Sequence, residues 1–218
     1  MKNMASTGGI TYSVAEFNTI VTMLGCLCAT VQLFTGLYSA FYKKKIGLIK
    51  ANDILFRTHR AFGGFATTLY FLGLFAGLTG FIGAIIFSVP PFEGTELSFI
   101  AHVWPSFLVM FVIIWKTYIS YFRKPSIYKM GKWLGVATFI AWAYTWITSA
   151  FSYYLRTLPH NIAETTLPHE APTYLLPIYL MGLQIMIPFL VGFLISYFIL
   201  RAANRLELRK SQSTIKKP

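Results

Sequence analysis

The sequence predicts an all-α, polytopic membrane protein, a bundle of five transmembrane helices. The chain of 218 residues is 56% hydrophobic and only 12% charged, which is typical of integral membrane proteins. Its apolar residues form long runs that are almost free of charge. A hydrocarbon core of about 30 Å requires about 20 apolar residues per helix. Five runs are long enough, roughly residues 17–42, 55–87, 97–122, 133–155 and 174–200.

The basic residues predict the orientation of this bundle. Sixteen of the 19 Lys and Arg residues fall on one side of the five-span bundle: from the end of span 1 to the first turns of span 2, between spans 3 and 4, and after span 5. This side is therefore expected to be cytoplasmic and the N-terminus outside. We therefore expect one bundle over residues 1–200 and a basic cytoplasmic tail over 201–218, in the plasma membrane. The net charge of +12 indicates anionic lipids at this face and no nucleic acid. The sixteen residues are Lys43, Lys44, Lys45, Lys50, Arg57, Arg60, Arg123, Lys124, Lys129, Lys132, Arg201, Arg205, Arg209, Lys210, Lys216 and Lys217.

Span 1 is expected to be a permanent helix and not a cleavable signal peptide. Its apolar run exceeds twenty residues, and its basic flank follows the run instead of preceding it. Cys26 and Cys28 would point about 200° apart on a helix and cannot bridge each other, so we expect buried, small side chains. Gln32 is a neutral polar residue, which in a membrane most often forms hydrogen bonds between helices.

Span 2 has the clearest internal pattern, a stripe of mostly small residues at alternating spacings of three and four. Small residues on one face let another backbone approach closely, which is how many membrane helices pack. The step from Gly73 to Gly77 is a GxxxG motif. The stripe predicts that His59, at its beginning, faces a helix seam and not lipid. Its members are His59, Gly63, Ala66, Tyr70, Gly73, Gly77, Gly80 and Ala84.

Prolines interrupt the later spans. Pro105 is expected near the start of span 3, where its missing N–H costs little, and Pro188 is expected to kink span 5. A kink leaves backbone carbonyls without helical partners, and Gln184 lies one turn before Pro188. Span 4 carries no histidine.

Ionisable groups within a membrane are costly, and several fall at one depth near the cytoplasmic side: His59, Arg60, Asp53 and Lys116. One interpretation is a snorkelling lysine with a lipid-headgroup or interhelical hydrogen-bond cluster. The other is a site for a quinone headgroup or for protons.

Histidines on two helices suggest a b-type haem with two axial imidazoles. Depth argues against His59 and His102 sharing one haem. His59 lies near the inner end of span 2 and His102 near the outer end of span 3, about 30 Å apart in depth at 1.5 Å per residue. Two ligands of one iron face each other across about 4 Å.

The outer side offers a candidate metal site. His102 lies at the mouth of span 3, and the loop between spans 4 and 5 contributes His160 and His169 with Glu164 and Glu170. Three imidazoles and a carboxylate suit copper or zinc. The alternative is a solvated loop or a subunit contact, and both Leu-Pro-His triplets predict non-helical chain.

Three motifs, RTHRAFGG, AHVWPSFLVMFVIIWKTYISYFRK and TWITSAFSYY, together with Gln32, resemble a group of small bacterial and archaeal multi-pass membrane proteins similar to b-type cytochromes. The resemblance covers about residues 20–155. It implies a redox-associated bundle, with His59 and His102 as the matched cofactor-binding positions. The cofactor is unknown: haem b or copper is possible, and none is required.

The sequence contains no Ser-His-Asp triad, carboxylate pair or phosphate-binding loop. Our first hypothesis is a non-catalytic integral-membrane subunit of a larger membrane-bound oxidoreductase, oxidase or copper-dependent monooxygenase complex. The alternative is an electron-transfer protein that binds a b-type haem, or a copper ion at His102, His160, His169 and Glu170. A small transporter is disfavoured, because neither an inverted repeat nor a pair of broken helices is visible.

Overall fold

The computed structural model describes residues 4–41, 54–86, 96–157 and 178–215. Within these ranges the chain is all-helical. The five α-helices are α1 (Met4–Phe41), α2 (Ile54–Ile86), α3 (Glu96–Phe122), α4 (Lys124–Thr157) and α5 (Met181–Ile215), and a short 3-10 turn, Ile178–Leu180, precedes α5.

All five predicted spans are confirmed as helices that are long and apolar enough to cross a membrane. These segments are Phe17–Phe41, Ile54–Thr79, Ala101–Phe122, Lys129–Ser152 and Met181–Leu206. They indicate a multi-pass membrane protein. We call the end where α1 and α3 finish and α2 and α4 begin the basic end of the bundle, because Arg57, Arg60 and Arg123 lie there.

Helix α1 is the centre of the bundle, since α2, α4 and α5 all pack against it. α3 packs mainly against α4. The interior of α1 is lined with threonine and serine hydroxyls that donate to the carbonyl one turn earlier in the same helix, as Thr30 does to Cys26 at 2.8 Å. Such hydroxyls are satisfied inside their own helix and leave the packing surface compact.

The glycine stripe of α2 is confirmed over its first half. Gly63, Ala66 and Tyr70 are buried, and a Cβ at Gly73 would lie 3.0 Å from Asn18 Oδ1 on α1. Gly77 differs from the expectation: it is exposed, and a Cβ there would meet no atom within 4 Å. The close approach of α2 to α1 is therefore made by the turns from Gly63 to Gly73.

Both prolines lie inside helices. α3 begins at Glu96, so Pro105 sits in its third turn and not near its start as expected. Pro105 cannot donate to Ala101 O, and the hydroxyl of Tyr144 on α4 donates to that carbonyl at 2.6 Å.

Pro188 lies inside α5, and Trp146 Nε1 donates to the nearby Ile185 O at 2.9 Å. An aromatic donor on α4 thus bonds a carbonyl of α3 or α5 close to each proline.

Both cysteines are buried thiols, as the sequence predicts. Cys26 packs beside Trp146, and Cys28 belongs to a second cluster with Trp142. The segment expected to be a tail from Arg201 continues α5 as helix to Ile215.

Candidate functional site

Four polar side chains from three helices meet near the basic end, and we call them the basic-end cluster: Gln32, Thr35, His59 and Lys116. Lys116 Nζ on α3 donates to Gln32 Oε1 on α1 at 2.5 Å. His59 Nδ1 on α2 lies 3.0 Å from Thr35 Oγ1 on α1. Helices α2 and α3 are therefore both tied to the same turn of α1.

Two glycines allow this close assembly. A Cβ at Gly36 would lie 3.0 Å from His59 Cε1, and a Cβ at Gly63 would overlap the side-chain amide of Gln32. Glycine at these positions lets the imidazole and the amide lie directly against the neighbouring helix. The RTHRAFGG motif thus places both the imidazole and the small residue that admits Gln32.

The hydrogen bonds of Thr35 favour one tautomer of His59. Thr35 Oγ1 lies 2.8 Å from Val31 O and 3.2 Å from Gln32 O, so it can donate its single proton within α1. In that arrangement the hydroxyl oxygen accepts from His59 Nδ1–H. The lone pair is then on His59 Nε2, the atom with which a neutral imidazole accepts a hydrogen bond or binds a metal.

The structure favours an interhelical hydrogen-bond cluster over a snorkelling lysine. Lys116 bonds to Gln32 inside the bundle and does not extend towards the bundle's end. Arg60, expected at the same depth, is exposed, whereas His59 and Lys116 are both half-buried. Asp53 lies outside the described residues.

His102 forms a second polar site, between α3 and α4. His102 Nδ1 lies 3.0 Å from Thr148 Oγ1. Thr148 Oγ1 is in turn 2.9 Å from Tyr144 O and 3.2 Å from Thr145 O, so its proton is also donated within its own helix. This arrangement favours His102 Nδ1–H as the donor, as for His59. A hydrogen bond at Nδ1 is also how ligating histidines are oriented.

The main chain around Pro105 is tied to both neighbouring helices. Tyr70 OH on α2 donates to Ser106 O at 2.7 Å, and the Ser106 hydroxyl donates to His102 O. Tyr144 and Thr148, one turn apart on α4, hold Ala101 O and the His102 ring. The turn of α3 that contains Pro105 and the His102 imidazole are therefore held by hydrogen bonds from α2 and α4.

The two histidines lie at different levels of the bundle. Lys116, which is at the level of His59, follows His102 by 14 residues, or about 21 Å along α3. This separation of the two histidines is smaller than the roughly 30 Å expected from the sequence. The expectation counted the depth of His59 from the outer end of span 2. α2 continues to Ile86, well beyond the level where Tyr70 contacts Ser106, so counting from its end overstates the separation. The pair does not fit a haem with two histidine ligands. The assignment of each histidine alone as a cofactor ligand stays a prediction.

The outer metal site falls mostly outside the described residues. His160, Glu164, His169 and Glu170 all lie there, and only His102 of the predicted set is described. Within the described ranges, no group of three or more His, Cys, Asp or Glu side chains is close enough to hold a metal ion. The four-residue site at His102, His160, His169 and Glu170 therefore stays a prediction.

Sequence reasoning missed the two threonines that orient the imidazoles. Thr35 could have been found, because it lies three residues after Gln32 and thus on the same face of α1. Thr148 falls within TWITSAF, but its role depends on how α3 is aligned with α4. That alignment is a long-range property that local spacing does not give.

Comparison of the chain with family models, with curated proteins and with solved structures gave no match.

Proposed function

We propose that this chain is a non-catalytic integral-membrane subunit of a larger membrane-bound oxidoreductase, oxidase or copper-dependent monooxygenase complex. The observation that supports it best is a surface of α2 that faces away from the bundle and is suited to another helix. We define this docking face as Ala61, Gly64 and Thr68, which share one side of α2 and are all exposed.

Gly64 is an exposed glycine inside α2. A Cβ at this position would meet no atom within 4 Å, so nothing in the described part of the chain requires a glycine there. Glycine inside a helix costs about 1 kcal/mol relative to alanine. A neighbouring transmembrane helix that packs closely on the glycine would offset this cost, and small residues are enriched at such interfaces.

Thr68, one turn further along α2, has an exposed side chain on the same face. The other threonine hydroxyls facing outward from α2 donate to their own helix, as Thr58 does to Ile54 O at 2.7 Å and Thr79 to Phe75 O at 2.5 Å. In the described part of the chain, the Thr68 hydroxyl has no hydrogen-bond partner. Lipid tails cannot provide one, whereas a polar group on a partner helix can.

The experiment compares two glycines that are both exposed and open, Gly64 on α2 and Gly182 on α5. The full chain would be extracted from its native membrane in lipid nanodiscs and studied by native mass spectrometry. We expect a complex with a different integral-membrane protein for the wild type and for Gly182→Phe, and loss of that complex for Gly64→Phe. Thr68→Val should weaken the same complex severalfold, since one hydrogen bond between membrane helices contributes about 0.6 kcal/mol on average.

Three results would contradict the proposal. The first is an equal amount of complex for Gly64→Phe and Gly182→Phe. The second is a complex that contains only copies of this chain. The third is a stable monomer that carries a redox centre of its own.

A second candidate is an electron-transfer protein that binds a b-type haem or an outer copper ion. The observation in its favour is the pair of threonine-oriented imidazoles, because a hydrogen bond at Nδ1 fixes the tautomer that ligates through Nε2. Purified protein should then show a Soret band or bound copper, which a His59→Ala or His102→Ala variant should lose. A spectrum without a Soret band, with neither iron nor copper by metal analysis, would exclude this candidate.

A further inference from the structure

The basic-end cluster contains a lysine that makes one hydrogen bond to the part of the chain that the structure describes. An ammonium group has three N–H donors, and among the described residues Lys116 uses one of them, towards Gln32 Oε1. Within the part of the chain that the structure describes, no carboxylate pairs with Lys116. A positive charge within a membrane span is costly without a partner, and such residues commonly mark a functional site.

His59 offers the complementary capacity. In the tautomer whose Nδ1–H donates to Thr35, Nε2 is an acceptor. Both side chains are tied to one stretch of α1, Lys116 through Gln32 and His59 through Thr35 three residues later. The cluster therefore combines strong donors on Lys116 with an acceptor on His59.

The arrangement of the helices leaves these groups accessible from the side of α2 and α3. α2 packs mainly against α1, and α3 mainly against α4, so the two helices approach their neighbours more closely than each other. His59 on α2 and Lys116 on α3 are both only half-buried.

We propose that the basic-end cluster binds the head of a membrane-soluble hydroquinone. One hydroxyl oxygen of the ring accepts a hydrogen bond from Lys116 Nζ, and its O–H donates to His59 Nε2. The oxidised quinone and a phospholipid phosphate offer acceptors only, so they leave His59 Nε2 without a donor. The reduced form is therefore the form that this cluster selects. The inference does not depend on the docking face of α2.

The test uses the full chain in nanodiscs of zwitterionic lipid, titrated with decylubiquinol under argon in a calorimeter, with empty nanodiscs as the blank. The same titration is repeated with decylubiquinone and with the dimethyl ether of decylubiquinol, which has no O–H donor. We expect saturable binding of decylubiquinol that is at least tenfold tighter than binding of the dimethyl ether, since a lost hydrogen bond involving a charged or buried group is worth roughly that factor.

Variants separate the roles of the residues. Lys116→Met keeps the length of the side chain but removes the donors, and it should weaken decylubiquinol binding by at least about tenfold. Lys132→Met is the matched control, because Lys132 is an exposed lysine that lies over the Trp133 ring. Its binding should equal that of the wild type.

Thr35→Val tests Thr35 as a positioning residue that does not touch the ligand. Without the hydroxyl, Nδ1–H loses its acceptor and the tautomer of His59 is no longer fixed. The preference for decylubiquinol over decylubiquinone should fall severalfold, a change that a general loss of packing would not produce. This variant also tests the proposal if Lys116→Met fails to insert into the membrane.

Three outcomes would overturn the proposal: binding of the dimethyl ether as tight as that of decylubiquinol, unchanged binding by Lys116→Met, or uptake of decylubiquinol no greater than by empty nanodiscs. Displacement of bound decylubiquinol by phosphatidylglycerol would instead identify a phospholipid headgroup site. That result would contradict the proposal as well.

Discussion

At the residue scale, Tyr144 compensates for the backbone donor that Pro105 lacks. Its hydroxyl donates to Ala101 O at 2.6 Å, the carbonyl that residue 105 would otherwise bond in a regular helix. Tyr144→Phe keeps the ring and removes this bond. We expect the free energy of unfolding to fall by about 1 kcal/mol, within the range measured for hydrogen bonds between membrane helices. Equilibrium unfolding in mixed micelles measures the change.

The matched control is Tyr197→Phe, because Tyr197 is exposed on α5 and its described contact is a ring contact with Phe198. This variant should unfold like the wild type. If both variants lose the same stability, the Tyr144 hydroxyl does not support α3.

The polar residues show what the sequence could predict at this scale. That His59 faces a helix seam and that Gln32 bonds between helices followed from spacing and from the cost of polar groups in lipid. The partner of Lys116 did not follow, because one interpretation included both a snorkelling lysine and an interhelical hydrogen-bond cluster. Only the assembled α1 and α3 show that Gln32 Oε1 lies within reach of its ammonium group.

At the element scale, the contact of α1 with α4 depends on Gly25. A Cβ at this position would overlap the indole of Trp142, which is buried in the core. Overpacking of this kind typically costs about 1–3 kcal/mol. Gly25→Ala should therefore lower the free energy of unfolding by that amount, measured in mixed micelles.

Gly182→Ala provides the control for this prediction. Gly182 lies on α5, is exposed and has open space around its Cα, so alanine should be neutral or stabilise the helix by up to about 1 kcal/mol. Equal stability for the Gly25 and Gly182 variants would mean that Trp142 can move away without cost.

The positions of the five membrane spans were well predicted at this scale, because hydropathy reports directly on each apolar segment. The helices extend beyond these spans, α1 from Met4 and α5 to Ile215. Helix surfaces were predicted less completely. The stripe on α2 correctly identified the face from Gly63 to Gly73, but Gly77 is exposed, since α1 does not cover that turn. Which turns of a helix are covered depends on the path of its neighbour, and this path is not contained in the spacing of the residues.

At the scale of the whole molecule, the fold class follows from composition, but the orientation in the membrane rests on charge alone. The structure places Arg57, Arg60 and Arg123 at one end of the bundle, and α5 carries the exposed Arg201 and Arg205 close to the end of its apolar span. The positive-inside rule assigns this end to the cytoplasm.

Cysteine labelling in intact cells tests this orientation. Cys26 and Cys28 are buried, so the native chain provides a weakly reactive background. Ser6→Cys, in the first turn of α1, and Ser213→Cys, near the end of α5, lie at opposite ends of the predicted topology. A membrane-impermeant maleimide should label the Ser6 variant in intact cells and the Ser213 variant only after lysis. The reverse pattern would place the basic end outside, and the basic-end cluster would then open towards the outer leaflet.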